Sequence, residues 1–397
     1  MLRLLGYADH LSVAPGEALR VMVHGESGIG TYDASIVRLI CGDRNPDGPG
    51  FKVLPCASAI DGRHPARQQV TDAGSYVRVA HHPLLSGLPA LTVAALVQPT
   101  LVDRFSTIIA KWSPAERCGW ALGLDASGRP VLRLGDGRSV SDLVAPAALP
   151  LRRWTAVSAS VRGRSACIGV EPLGGEVVRQ RWRLSFDPAL DCGADLLIAG
   201  LAEGGLVEHH FNGRIERPSL FAAAIDHAVA AAALRDGRPH EALRAAWDFA
   251  RDISSVRVRD AGPHGLDGVA VNLPTRAVAG HRWSGAEMDW TRRPDHYAAI
   301  HFHDDDLYDA GWSPDLAWRV PEGWPSGLYA VRLAAGEDED YVPFVVRPAV
   351  PGAGADVAFL VPTATYMAYA NDRCALHGSN PEVLAARVLT LAPGDVH

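Results

Sequence analysis

Between Gly74 and Phe221 the chain is little else than short apolar strands separated by turns: SYVRVA, LTVAALVQP, STIIAKW, GWALGLD, PVLRLGDG, WTAVSASV, DLLIAG and FNGRIERPSLF. Runs of this length, closed by Gly, Pro, Asn or Asp, cannot bury an apolar face as lone hairpins, so they predict an antiparallel sandwich. The stretch AIDHAVAAAALRDG (224–237) breaks the pattern. It is rich in alanine, and it carries Asp226 as a cap and Gly237 as a stop, so it predicts a closing helix.

Residues 1–60 have a similar β texture, with strands expected over Leu19–His24 and Ser35–Ile40 and a breaker cluster, GDRNPDGPG, at 42–50. Residues 244–348 return to it in WDF, SSVRVRD, GLDGVAVNLP, HYAAIHFH and GLYAVRL. The order of signals in the middle segment is more specific than their number. Gln98-Pro99-Thr100 is followed by IIAKW, by ALGLDASGRPVLRLGDG, by the strand at Trp154 and by Phe211-Asn212-Gly213-Arg214-Ile215. That order resembles the laminin-G or concanavalin-like jelly roll. The expected fold is therefore mainly β. Residues 1–60 and 244–348 form one β-sandwich, and the jelly roll over 70–240 is inserted into it. A Pro/Gly/Ala linker at 348–356 then leads to residues 356–397, where Val357-Ala358-Phe359-Leu360-Val361 reads as the first, doubly buried strand of an incomplete α/β domain.

Composition narrows the function. Hydrophobic residues make up 48% and charged residues 21%, as in an ordinary globular protein. The formal charge of −7 is the wrong sign for a nucleic-acid partner, which needs clustered excess Lys and Arg. No stretch has the roughly 18 apolar residues of a membrane span, and the N-terminus lacks a signal-peptide core. Six scattered cysteines without a CxxC suit free thiols in the cytoplasm. The sequence contains no GxSxG, Walker A or strand-linked GxGxxG motif, which leaves a nucleophile elbow and nucleotide chemistry unsupported.

Two strings have the residue types for metal chemistry. In Ile300-His301-Phe302-His303-Asp304-Asp305-Asp306, His301 and His303 share one side of a strand, and Asp305 from the following acidic turn would complete a His/carboxylate set. A solvated acidic turn shaping a domain junction explains the same string, and replacing Asp305 would then lower stability. The second string, PTATYMAYAND (362–372), follows the apolar run where an open α/β sheet binds ligands. Its tyrosines can ligate a ferric ion, although an aromatic structural turn fits too. Asp125 and Asp136 sit in turns where a jelly roll sometimes holds calcium, and Trp112, Trp120 and Trp154 are available for a carbohydrate platform.

Several strings together resemble the large (beta) subunit of N,N-dimethylformamidase and its relatives: GYADHLSVAPGE, VRLICGDRNPDGPGFK, NLPTRAVAGHRW, AIHFHDDDLYDAGW, SGLYAVRL and PTATYMAYAND. The resemblance implies hydrolysis of a small N-substituted formamide to amine and formate. The chemistry would occur at an iron held by two tyrosines and a carboxylate in a C-terminal amidotransferase-like α/β domain, where the metal polarises the carbonyl and activates water. It also implies a small partner subunit and a homo-oligomer. Of this chain's residues, Tyr369 is the first choice for an iron ligand and Tyr366 the second. The later segments that carry the other ligands, resembling STYD and SHPEY, are absent here. The site is therefore expected to be incomplete and the isolated chain inactive. The alternative reading is a non-catalytic jelly-roll protein that binds a carbohydrate or a partner.

Overall fold

The computed structural model describes residues 3–43, 47–350, 352 and 356–369. The chain divides into two compact units, one formed by residues 72–310 and the other by the residues before and after them.

The flanking unit is a sandwich of two sheets. Leu4–Ala8, Ala18–Gly25 and Leu316–Arg319 make the smaller one. Thr31–Cys41, Gly327–Ala335 and Asp338–Val346 run antiparallel at the centre of the larger one. Alternation along Ala18–Gly25 turns Leu19, Val21 and Val23 inward, where they meet Tyr32, Ile36, Trp318, Tyr329, Val331 and Phe344.

The inserted unit contains a 16-stranded sheet that folds back on itself, which is the jelly roll expected from the strand order. Its two halves share one core. Leu122, Leu132 and Leu134 come from one half, and Val93, Val157 and Ile168 come from the other. The opposite face of the second half, Ala94, Leu96, Ala156 and Phe221, is covered by Ala230, Ala231 and Leu234 of the helix His227–Asp236. That helix begins and ends where the sequence predicts. The Asp226 side chain accepts from the Ala228 N–H, and Gly237 closes it in the left-handed region at φ 67°. Lys111 is fully buried and anchors a loop to the sheet, its ammonium donating to the carbonyls of Cys192 (2.6 Å) and Ala194 (2.7 Å).

Two expectations are corrected. The strands Leu243–Asp248, Arg257–Asp260, Gly268–Val271, Thr275–Val278 and Ala299–Phe302 pair within the jelly roll, not with the outer sandwich, so this unit runs to residue 310 instead of ending near 240. The long strand Gly213–Phe221 explains this: one edge pairs with Ala90–Pro99, and the other offers backbone groups that both Leu243–Asp248 and Ala299–Phe302 fill. The apolar run Val357–Val361 is not a strand among the described residues. Val357, Phe359 and Leu360 are exposed, because an apolar run becomes a buried strand only with neighbours on both edges.

Candidate functional site

The strand Ala299–Phe302 is central to the polar string around His301. Ile300 and Phe302 point into the core, which leaves His301 on the opposite face between its register partners Arg214 and Thr275. The rings of His301 and His303 lie 4.1 Å apart, on the same side as the sequence predicts. Their protonation is pushed in opposite directions. Burial, then the neighbouring His303 and Arg214, lowers His301 to about 4. The hydrogen bond to Asp306 outweighs burial at His303 and holds it above the ordinary histidine value. His301 is thus a neutral imidazole whose buried Nε2 has no hydrogen-bond partner among the described residues.

The turn after His303 binds the place where the chain enters this unit. Ser75 N–H donates to the His303 carbonyl (2.9 Å), and Gly74 N–H donates to that of Asp306 (2.8 Å). The Ser75 hydroxyl donates to Asp306 Oδ2 (2.6 Å) and accepts from the His303 N–H (3.2 Å). Asp306 Oδ2 lies 3.3 Å from His303 Nδ1. Asp304 pairs with Arg104, and its N–H donates to Asn212 Oδ1. Asp305, the carboxylate singled out from the sequence, is exposed and makes no side-chain hydrogen bond among the described residues. The carboxylate that joins the histidines is Asp306. Ser75 has no signal in the sequence, because its role depends on a partner more than 200 positions away.

A second polar pair lies two residues along from Arg214. Glu216 accepts from the His281 N–H (2.7 Å) and lies 2.8 Å from its Nδ1, with both side chains nearly inaccessible. Gly280 makes room for it, since a Cβ there would stand 2.7 Å from Glu216 Oε2. Nothing in the sequence marks this pair, because its two members lie 65 positions apart.

The other candidates fall apart spatially. Tyr366 and Tyr369 lie on the helix Thr363–Tyr369 instead of in a loop; Tyr366 is 54% exposed, and the side chain of Tyr369 lies outside the described residues. Asp125 Oδ1 is engaged by the N–H groups of Ser127 and Arg129, and Asp136 by those of Arg138 and Ser139, so both carboxylates serve to close turns. Trp112 and Trp120 are buried, so they present no platform to a sugar. Among the described residues, no group of three or more His, Cys, Asp or Glu is placed to hold a metal ion. None of the helices described is long and apolar enough to cross a membrane.

Fold and site together define a β-sandwich protein carrying a jelly roll whose polar cluster ties the jelly roll's first residues to its last strand. A family model described as N,N-dimethylformamidase beta subunit-like, C-terminal, matches residues 275–389. The N,N-dimethylformamidase beta subunit of Paracoccus aminophilus is 32% identical over 429 residues, covering 99% of this chain and 55% of that protein. The one from Alcaligenes sp is 33% identical over 98% of this chain and 55% of its own length. The chain is similar along nearly its whole length to N,N-dimethylformamidase beta subunits, and it spans about half the length of the curated relatives it matches. Among solved structures, the CBM40 of the Ruminococcus gnavus IT-sialidase aligns with a TM-score of 0.35 and 16% identity, over 42% of this chain and 94% of that one. That likeness is too distant to argue from.

Proposed function

We propose that the chain is the N-terminal portion of the large subunit of an amidohydrolase that cleaves a small N-substituted formamide to amine and formate. In this reading it works in the cytoplasm, in an assembly with a small subunit and further copies of itself. The observation that carries the reading is the identity to dimethylformamidase beta subunits along 99% of the chain, across both units and not merely one module. Iron is the cofactor that the resemblance implies. The described residues do not form a site for it: Tyr366 stands exposed on its helix, and a single phenolate would not hold a ferric ion against water. The role of the described residues is to build and brace the β scaffold.

The test is to purify the 397-residue chain with its small subunit and measure iron and dimethylamine release from N,N-dimethylformamide. The expected result is neither bound iron nor release. Extending the chain by the relatives' remaining sequence should supply both. Stoichiometric iron with dimethylamine release from the 397 residues alone would overturn the scaffold reading.

A further inference from the structure

Beside the C-terminal end of the helix His227–Asp236 lies a cavity of about 260 Å³, a little below the roughly 300–1,000 Å³ usual for drug-sized ligands and so suited to a smaller one. Ala233, Pro239 and Leu243 give it apolar walls, and Arg217 and Arg238 give it two cations. Arg217 reaches this place by an unusual route. Its φ is +50°, in the left-handed region that is uncommon for residues with a Cβ, and it precedes Pro218, which favours extended backbone instead. The pairing of Gly213–Phe221 with Ala90–Pro99 breaks register between Glu216 and Ser219, and that irregularity takes Arg217 out of the strand's alternation. Strain of this kind persists where surrounding structure enforces it, and it concentrates at functional positions.

The Arg217 guanidinium arrives without an anion. It lies against Gly237, where a Cβ would stand 2.9 Å from its Nη1, and its side chain has no hydrogen bond or ion pair among the described residues. Capping the helix does not require it, because Arg282 already donates to the Arg235 carbonyl there. Asp248, also in the wall, is engaged by the Ala250 N–H and the Arg251 side chain. Arg238 pairs with Asp236, both well exposed at the rim.

We propose that this cavity binds a small organic monocarboxylate, its carboxylate on Arg217 and its hydrocarbon part on Ala233, Pro239 and Leu243. A planar guanidinium fork matches a carboxylate in two hydrogen bonds. The apolar walls select a hydrocarbon body over a bare inorganic anion. The site is independent of the amidase reading, because it is built wholly from jelly-roll residues.

The probe is butyrate, titrated calorimetrically into the 397-residue chain, with neutral butyramide as the control. Butyrate should bind at least about tenfold more tightly than butyramide and shift the Ser219 and Gly237 amide resonances. Arg217→Gln should lower butyrate affinity by about tenfold or more. Arg217→Gly separates ligand binding from structure, since glycine relieves the positive φ: it should hold or raise Tm while losing butyrate. No butyrate binding, equal binding of butyramide, or an Arg217→Gly protein that melts lower yet still binds butyrate would each overturn the proposal.

Discussion

Replacing Asp306 with alanine should destabilise the jelly roll, whereas the same change at Asp305 should not. Asp306 accepts a 2.6 Å hydrogen bond from the fully buried Ser75 hydroxyl, and its carboxylate also faces His303. A hydrogen bond to a charged group contributes roughly 1.5–3 kcal/mol. The His303 pair is partly exposed, with side chains 34% and 22% accessible, and is worth no more than about 0.5 kcal/mol after solvent screening. The loss for Asp306→Ala is therefore about 2 kcal/mol, and Asp305→Ala should stay within about 0.5 kcal/mol. In a unit of roughly 240 residues, 1 kcal/mol moves Tm by about 2–4 °C, so Asp306→Ala should melt about 4–8 °C lower. The His303 share depends on pH in a defined direction. Asp306 raises the folded pKa of His303, so that share is complete below the unfolded value near 6.5 and disappears as pH rises through the folded value. The deficit should accordingly be slightly larger at pH 6 than at pH 9. The assay is circular-dichroism melting of wild type, Asp306→Ala, Asp306→Asn and Asp305→Ala at both pH values. Equal melting of the Asp305 and Asp306 variants would refute this account of the turn.

Two further outcomes follow from the neighbouring groups. Glu216→Ala should cost about 1–3 kcal/mol in urea unfolding, because it leaves the buried His281 donors without their acceptor; Glu216→Gln, which keeps an oxygen there, should cost less. Wild-type stability for Glu216→Ala would contradict the pairing. His301, with its folded pKa near 4, should show no NMR titration between pH 8 and 5.5, and a midpoint near 6.5 would refute its burial. Its linkage runs opposite to that of His303: the unfolded chain takes up this proton first, so stability is lost as pH falls from about 6.5 toward 4.

Local chemistry was legible wherever neighbouring residues decide the outcome. The helix end points follow from Asp226 and Gly237, and the inward set Leu19, Val21 and Val23 follows from strand alternation. The shared side of His301 and His303 follows from a period of two. The resemblance to dimethylformamidase beta subunits rested on whole strings of residues, which is why it survived comparison with the relatives. The domain boundary was not legible. Leu243–Asp248 and Ala299–Phe302 have the same texture as strands of the outer sandwich, and nothing within them states which edge they fill.

What the sequence by itself determined, then, is the inventory: β strands of a given length, one capped helix, and which side chains share a face. These depend on φ/ψ preferences and side-chain periodicity, which act over a few residues. Only the tertiary structure decided which carboxylate meets which histidine, Asp306 over Asp305 at His303 and Glu216 at His281. It also decided that Val357–Leu360 stands exposed and that Arg217 turns out of its strand toward Gly237. Those outcomes depend on strand pairing between distant segments. Pairing is set by which edges are left open once the rest of the sheet has formed, and no local window of sequence contains that information.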